Sequence, residues 1–145
     1  MIESIRLHQV RSWADATIRI SPGTQIFWGE NGAGKTTILE ACIVAATGRS
    51  HRAGALREVI ASDAEQAAIS VAVRAHGADP ADTLAQSTLG VEIARAGRAK
   101  HTLNGTPRST TALGQRLRVA AFVPEETGLV VGAPAVRRGL LDRVA

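Results

Sequence analysis

The chain has 145 residues, of which 45% are hydrophobic and 21% charged, and its formal net charge is +4. This length is typical of one domain and this composition of a globular protein, which argues against general disorder. It has no run of about 18 apolar residues that could cross a membrane. Its single cysteine, Cys42, excludes an intramolecular disulfide and a cysteine-built zinc site. We therefore expect a cytosolic protein without a signal peptide.

Three strands are predicted before the first glycine-rich segment. Apolar residues alternate within residues 2–10 and 15–20, and residues 24–28 form a β-branched and aromatic run, Thr-Gln-Ile-Phe-Trp. Together these strands, within residues 2–28, lead directly into the segment 29–36.

A helix is predicted next in the chain, over residues 35–47, so that residues 29–47 comprise a loop and a helix. Gly48 is expected to end the helix, because glycine adopts the left-handed backbone of a helix C-terminus without strain. Cys42 is expected in the core, because a free cysteine is usually buried. The residues expected to share the apolar face are Ile38, Leu39, Cys42, Ile43 and Ala46.

An antiparallel β-meander is predicted over residues 67–105. Apolar residues alternate within residues 67–75 and again within residues 89–93, and residues 100–103 form a short strand. Asn104-Gly105 is typical of a tight hairpin turn, because both residues tolerate a positive φ angle.

The remaining residues predict a short helix, a buried strand and a second helix. The short helix covers residues 110–117, and the strand covers residues 119–123 and ends at Pro124. Pro134 suits the first turn of a helix. Residues 119–145 are therefore interpreted as a strand, a loop and the start of a helix.

Residues 29–36, Gly-Glu-Asn-Gly-Ala-Gly-Lys-Thr, fit the phosphate-loop pattern G-x-x-x-x-G-K-[ST]. The glycines let the backbone wrap so that successive N–H groups point into one hollow, which binds phosphate oxygens. The helix after the loop adds free N–H groups and the positive end of its dipole. We expect Lys35 to contact the β- and γ-phosphates and the Thr36 hydroxyl to ligate Mg²⁺. The candidate nucleotide-binding residues are Gly29, Glu30, Asn31, Gly32, Ala33, Gly34, Lys35, Thr36 and Thr37.

The acidic strand that a hydrolysing site needs is not found after this loop. Such a strand ends in Asp, often with Glu directly after it, whereas Pro124 separates Glu125 and Glu126 from the predicted strand. The chain therefore looks like half of an ATPase. We expect it to bind ATP and to hydrolyse it only when a C-terminal part completes the site.

The order and spacing of several segments carry a resemblance to a known family. The most specific are Gly48-Arg49-Ser50-His51-Arg52 and the Gly-x-Pro-x-x-Arg-Arg…Leu-Asp run over residues 132–142. The sequence resembles the RecF family of bacterial DNA replication and repair ATPases, which belongs with the SMC-like branch of the ATP-binding-cassette ATPases. The matching segments are residues 29–41, 48–52, 103–105, 122–126 and 129–142.

The chain departs from the family pattern at three positions and in length. Thr37 stands where RecF proteins usually have Asn, and Val10 and Trp13 stand where they tend to have Phe or Tyr. RecF proteins are also longer, so the signature motif, the acidic pair and the second lobe would lie beyond Ala145.

The resemblance implies an α/β fold, the N-terminal half of a P-loop NTPase of the ATP-binding-cassette type. Residues 1–145 would form this part of a RecF-like ATPase head, with an antiparallel β-meander, incomplete without a C-terminal part. The resemblance implies binding of ATP, Mg²⁺ and duplex DNA near single-strand gaps, and ATP-dependent homodimerisation. It further implies cooperation with RecO and RecR to load RecA in DNA repair and the SOS response.

Four arginines are candidates for DNA contacts: Arg49, Arg52, Arg137 and Arg138. The first two could equally belong to a solvated basic loop. The last two could form a salt bridge in the complete protein. Arginine at the start of a helix is unfavourable to the helix dipole, so the local fold gives little reason for these two arginines. The net positive charge does not decide between these alternatives, because the chain has no dense basic run.

Trp13 also has two open interpretations. Its ring could stack on adenine with Arg11 beside it, as the aromatic loop of cassette ATPases does. It could equally pack under the hairpin between the first two predicted strands.

Two other function classes share the phosphate loop. A transporter ATPase needs a glutamine after a strand downstream of the lysine, and Gln86 has a suitable distance but is predicted in the loop after Pro80. A small-molecule kinase needs a lid with catalytic arginines, which the meander over residues 67–105 does not resemble.

Overall fold

The computed structural model describes residues 1–75, 77–79 and 82–121. Within these ranges the helices are α1 (Lys35–Thr47) and α2 (Thr110–Gly114), and short 3-10 turns cover Leu56–Val59 and Thr83–Ala85. The strands are β1 (Ile2–Val10), β2 (Trp13–Arg19), β3 (Gln66–Arg74), β4 (Gln86–Ala94), β5 (Lys100–Leu103) and β6 (Thr106–Pro107).

The strands form one antiparallel sheet in the order β2-β1-β3-β4-β5-β6. The alternating apolar residues fix its register, because a slip of one position would turn every core side chain to the other face. Ile5 lies opposite Ile18 on β2 and Val71 on β3, and Val71 lies opposite Leu89 on β4. Strands β3 to β5 are the meander that the sequence predicts over residues 67–105, and β6 lies just beyond it.

The core lies between one face of this sheet and α1. Helix α1 contacts β1, β3 and β4, and it also packs against α2. The helix supplies Ala41, Val44 and Ala45, which are completely buried. The sheet residues that are at most 2% exposed are Ile5, Leu7, Val10, Ala67, Ile69, Val71, Leu89, Val91 and Ile93. The sheet therefore holds α1 along its length and fixes the position of its N-terminus.

The prediction of a third strand over residues 24–28 is wrong. Residues 22–29 carry no strand, Ile26 is 82% exposed and Trp28 is 89% exposed, while Phe27 packs partly against the core. A strand needs a neighbour to pair with its backbone, and none of the six strands within the described ranges runs beside this segment. The β-branched and aromatic composition alone is not enough.

The helix prediction over residues 35–47 is confirmed, but its apolar face is only partly right. Cys42 is buried as predicted, and Gly48 ends the helix with a φ of 69°. Leu39, placed on the buried face by the sequence, is 52% exposed. The buried stripe is rotated toward Ala41 and Ala45, so Leu39 points away from the sheet.

The last predicted elements differ in outcome. The turn at Asn104-Gly105 is confirmed by φ angles of 52° and 76°, and the short helix occupies only Thr110–Gly114 of the predicted 110–117. Residues 119–121 carry no strand, in contrast to the prediction for 119–123. The other predicted features of residues 122–145 lie outside the described residues.

No helix in the described part of the chain is long and apolar enough to cross a membrane.

Candidate functional site

The segment before α1 is wound tightly by three glycines with positive φ. Gly29, Gly32 and Gly34 have φ values of 146°, 88° and 86°. Side chains strongly disfavour this region, so the loop shape requires glycine at these positions. One internal hydrogen bond, from the Ala33 N–H to the Glu30 carbonyl at 3.2 Å, closes the turn. The structure thus gives the predicted phosphate-loop segment a wrapped backbone.

Helix α1 opens directly from this loop. Gly34 is its N-cap residue, and no side chain in the described ranges caps the helix. The first turn carries no acidic residue that would compete for the same N–H groups. The Thr37 N–H donates to the Gly34 carbonyl at 3.0 Å. The N–H groups of Lys35 and Thr36 and the positive dipole end therefore remain available for an anion that approaches through the loop.

Lys35 lies across the loop rather than away from it. Its Nζ donates to the carbonyl of Gly29 at 2.8 Å and to the carbonyl of Glu30 at 2.7 Å. The ammonium is therefore held over the start of the loop, where its positive charge can bind a phosphate. The neighbouring Thr36 is exposed, so its hydroxyl is accessible to a ligand.

Trp13 contacts the end of the same loop. Its indole Nε1 donates to the carbonyl of Gly34 at 3.3 Å. A Cβ on Gly34 would lie 2.9 Å from Cε2 of Trp13 and closer still to Nε1. Glycine is therefore required at position 34 by contact as well as by φ. The Trp13 ring packs against the loop, and its stacking on adenine stays a prediction.

Glu40 is a buried carboxylate on α1 that sequence patterns do not single out. Its side chain is completely buried. Oε1 accepts from Nη2 of Arg11 at 2.9 Å and from the Ser50 hydroxyl, and Oε2 accepts from Nε of Arg11 at 3.2 Å. Nη1 of Arg52 lies 3.7 Å from Oε2. The signal in the sequence is a lone acid inside an otherwise apolar helical run, a position that demands a buried partner.

The surroundings of Glu40 keep it charged. Burial acts to raise the pKa of this carboxyl, but the hydrogen bonds from Arg11 and Ser50 and the charges of Arg11 and Arg52 outweigh burial, so the pKa is lowered. A lowered pKa in the folded state stabilises the fold above the carboxyl's ordinary range. That contribution is lost as the pH falls through the lowered pKa.

Arg11 occupies the turn between β1 and β2 with a φ of 54°. This left-handed backbone is unusual for arginine, and several contacts fix it. The Arg11 N–H donates to the carbonyl of Val59 at 2.8 Å, and Nη1 donates to the carbonyl of Glu58 at 2.7 Å. Arg11 therefore contacts the buried carboxylate and the 3-10 turn, and its suggested place beside adenine stays a prediction.

Residues 48–52, which follow α1, contact Glu40 through Ser50 and Arg52. Besides donating to Glu40, the Ser50 hydroxyl oxygen accepts the N–H groups of Arg52 and Ala53, each at 3.0 Å. Arg52 faces Glu40, whereas Arg49 is exposed. Of the candidate DNA-binding arginines in the described residues, only Arg49 has its guanidinium outside this network. Arg137 and Arg138 lie outside the described residues.

Gln86 and Cys42, two further residues that the sequence singles out, have clear places in the fold. Gln86 begins β4, so its predicted loop position is wrong, and its Nε2 donates to Oε2 of Glu3 at 2.6 Å. Cys42 packs in the core, where burial raises the pKa of its thiol to about 11 and keeps it unreactive at neutral pH.

Comparisons with known proteins identify the family and the fold. A family model described as AAA domain matches residues 4–101. A structure from work on ATP-driven dimerization and DNA-stimulated activation of SMC ATPases is 20% identical with a TM-score of 0.78, and the match covers 99% of each chain. A structure of the recombination mediator protein RecF-ATPrS in the RecFOR pathway is 24% identical with a TM-score of 0.84.

The Smc head domain with a coiled coil and joint derived from Pyrococcus yayanosii is 20% identical with a TM-score of 0.75. This chain spans 37% of that RecF chain and 31% of that Smc chain, while 99% and 98% of this chain is covered. These likenesses show the fold of an SMC/RecF-like ATPase head. They confirm the predicted fold class, the N-terminal half of a P-loop ATPase head, and they match RecF and SMC heads alike.

The contact between Trp13 and Gly34 predicts unequal effects of two glycine substitutions. Gly34→Ala combines a positive φ with a clash against the indole, whereas Gly32→Ala meets nothing within 4 Å and has only the strain of its φ of 88°. We expect Gly34→Ala to lower the free energy of unfolding by about 1–3 kcal/mol more than Gly32→Ala. Urea unfolding monitored by circular dichroism measures both, and equal stabilities would contradict the contact.

Proposed function

We propose, because this chain belongs to the AAA-domain family, that it binds ATP and Mg²⁺ through residues 29–37 as the N-terminal part of an SMC/RecF-like ATPase head. The observation that carries the proposal is the loop itself. Three glycines with positive φ lead into an uncapped helix N-terminus, and a lysine ammonium lies over the loop. This combination suits a polyphosphate.

The residues present fit both ligands. The N–H groups of the loop and of the first helical turn would bind phosphate oxygens, and Lys35 would exchange its two carbonyl partners for the β- and γ-phosphates. The exposed Thr36 hydroxyl offers the oxygen ligand that Mg²⁺ prefers. Thr36 would hold the ion, whose charge would neutralise that of the phosphates.

The finer proposal is a RecF-type role in DNA replication and repair. It is supported by the family-specific segment 48–52, which here surrounds Glu40, and by the likeness of the fold to RecF. In this role ATP would be enclosed between two copies, so that the γ-phosphate favours a closed dimer on duplex DNA and hydrolysis releases it. RecO, RecR and RecA would be partners near single-strand gaps in the SOS response.

A second candidate is the corresponding half of an SMC ATPase. The observation that favours it is the match in which this chain and the SMC-related chain cover each other almost completely, at 99% of each. Both candidates share the nucleotide site. They differ in the C-terminal part that would complete the head, and hydrolysis in either case would need residues from that part.

Substitution of Lys35 tests the nucleotide site. Lys35→Ala removes a charge-assisted contact to the β- and γ-phosphates, so we expect affinity for Mg²⁺·ATP to fall by about 10- to 150-fold. The matched control is Lys100→Ala, which removes the only other lysine of the chain, at the exposed start of β5. Titration with a fluorescent ATP analogue measures both. Unchanged affinity in Lys35→Ala would contradict the assignment.

Arg49 is the clearest test of the DNA proposal, because its side chain is exposed while Arg52 faces Glu40. A phosphate contact carries no base information and is strongly dependent on salt. If Arg49 contacts DNA, Arg49→Ala should flatten the slope of log K against log salt by about 0.9. The control is Arg57→Ala, an exposed arginine of the 3-10 turn that we do not assign to DNA.

The measurement is duplex binding with ATP at several salt concentrations. An unchanged slope in Arg49→Ala, with normal ATP affinity, would remove Arg49 from the DNA interface. Arg137 and Arg138 remain predictions, since they lie outside the described residues.

A further inference from the structure

Four residues form a closed ring of contacts around the start of α1. Glu40 holds Arg11 through two hydrogen bonds of 2.9 and 3.2 Å. Arg11 lies in the turn that leads into Trp13, and Trp13 donates to the carbonyl of Gly34 at 3.3 Å. Gly34 is the N-cap of the helix that carries Glu40. The hairpin turn is thereby attached to α1 at two points, one at the loop and one farther along the helix.

This ring is not explained by the hairpin alone. The turn places Arg11 at a φ of 54° because a two-residue hairpin turn requires a positive φ at its first central residue, a position where arginine is unusual. A carboxylate buried within the apolar stretch of α1 is likewise costly unless it is paired. The positive φ of Arg11 and the buried charge of Glu40 occur at one place, next to the loop that we assign to phosphate binding. Ser50 and Arg52 add contacts to the same two oxygens of Glu40, so the carboxylate has little freedom to move.

We infer that Glu40 is a positioning residue for the phosphate loop, which it holds in its binding shape through Arg11 and Trp13 before any ligand arrives. The inference rests on the proposed function, which identifies the ligand of the loop as a polyphosphate. Its physical basis is preorganisation, because a loop already fixed in its bound conformation loses less entropy on binding. The indole edge contacts the backbone of Gly34, so the effect acts on the loop and is independent of adenine.

The first experiment observes the ring without a ligand. The chain has two tryptophans, and only Trp13 packs against Gly34, whereas Trp28 is 89% exposed. In ¹⁵N–¹H spectra the indole N–H of Trp13 should be protected from solvent exchange, and that of Trp28 should not. Glu40→Gln should shift the Trp13 resonance and speed its exchange while leaving that of Trp28 unchanged.

The second experiment compares Mg²⁺·ATP with inorganic tripolyphosphate by calorimetry. Glu40→Gln should weaken both by a similar factor, about 5- to 30-fold, because both use the loop. Arg11→Lys is the second variant in case Glu40→Gln does not fold, since it keeps the charge and loses the paired geometry. The matched control is Glu3→Gln, which breaks the Arg74 pair at the other end of β1.

The outcomes separate the possibilities. An unchanged Trp13 resonance and unchanged affinities in folded Glu40→Gln and Arg11→Lys would overturn the inference and leave Glu40 a stability residue. Loss of ATP affinity with normal tripolyphosphate affinity would also overturn it, because Trp13 would then serve adenine. A wild-type chain that binds neither ligand would contradict the proposed function instead, and the resonance of Trp13 would still test the ring.

Discussion

The buried charge of Glu40 is the constraint on which the arrangement around the phosphate loop depends. A carboxylate without water must be neutralised by partners, and the partners come from two separate segments, the β1–β2 turn and the residues after α1. Removing one partner of a buried ion pair typically costs about 3–5 kcal/mol. Glu40 therefore requires Arg11, Ser50 and Arg52 to lie beside α1. Their contacts hold the β1–β2 hairpin and residues 48–52 against the same helix.

These contacts also stabilise the shape of the glycine loop. Three residues with positive φ make a shape that an isolated peptide would rarely hold, yet here it lies between the sheet-anchored helix and Trp13. Lys35 closes it from the other side through the carbonyls of Gly29 and Glu30. The loop, the lysine and the helix N-terminus together make a site whose chemistry suits phosphate, in a chain of the AAA-domain family with an SMC/RecF-like head fold.

Much of this arrangement is predictable from sequence, because it rests on local patterns. Alternation defines β1, helical spacing defines α1, and the spacing of glycines and lysine defines the loop. Glu40 escapes prediction because helical periodicity assigns a charged residue to solvent, and its burial depends on arginines far along the chain. The strand over residues 24–28 is overpredicted because pairing with a neighbour is a tertiary property. Leu39 shows that spacing alone does not fix which way a helix face turns.

The central claim is that residues 29–37 form a polyphosphate site already shaped by the fold. The most direct measurement is a titration of the ¹⁵N-labelled chain with Mg²⁺·ATP that records the shift of every backbone amide. The account predicts saturable shifts that are largest within residues 29–37 and small across β3 to β5. It would be contradicted by the absence of saturable shifts in the loop, or by the largest shifts around His8 and Lys100, which line a separate groove on the sheet.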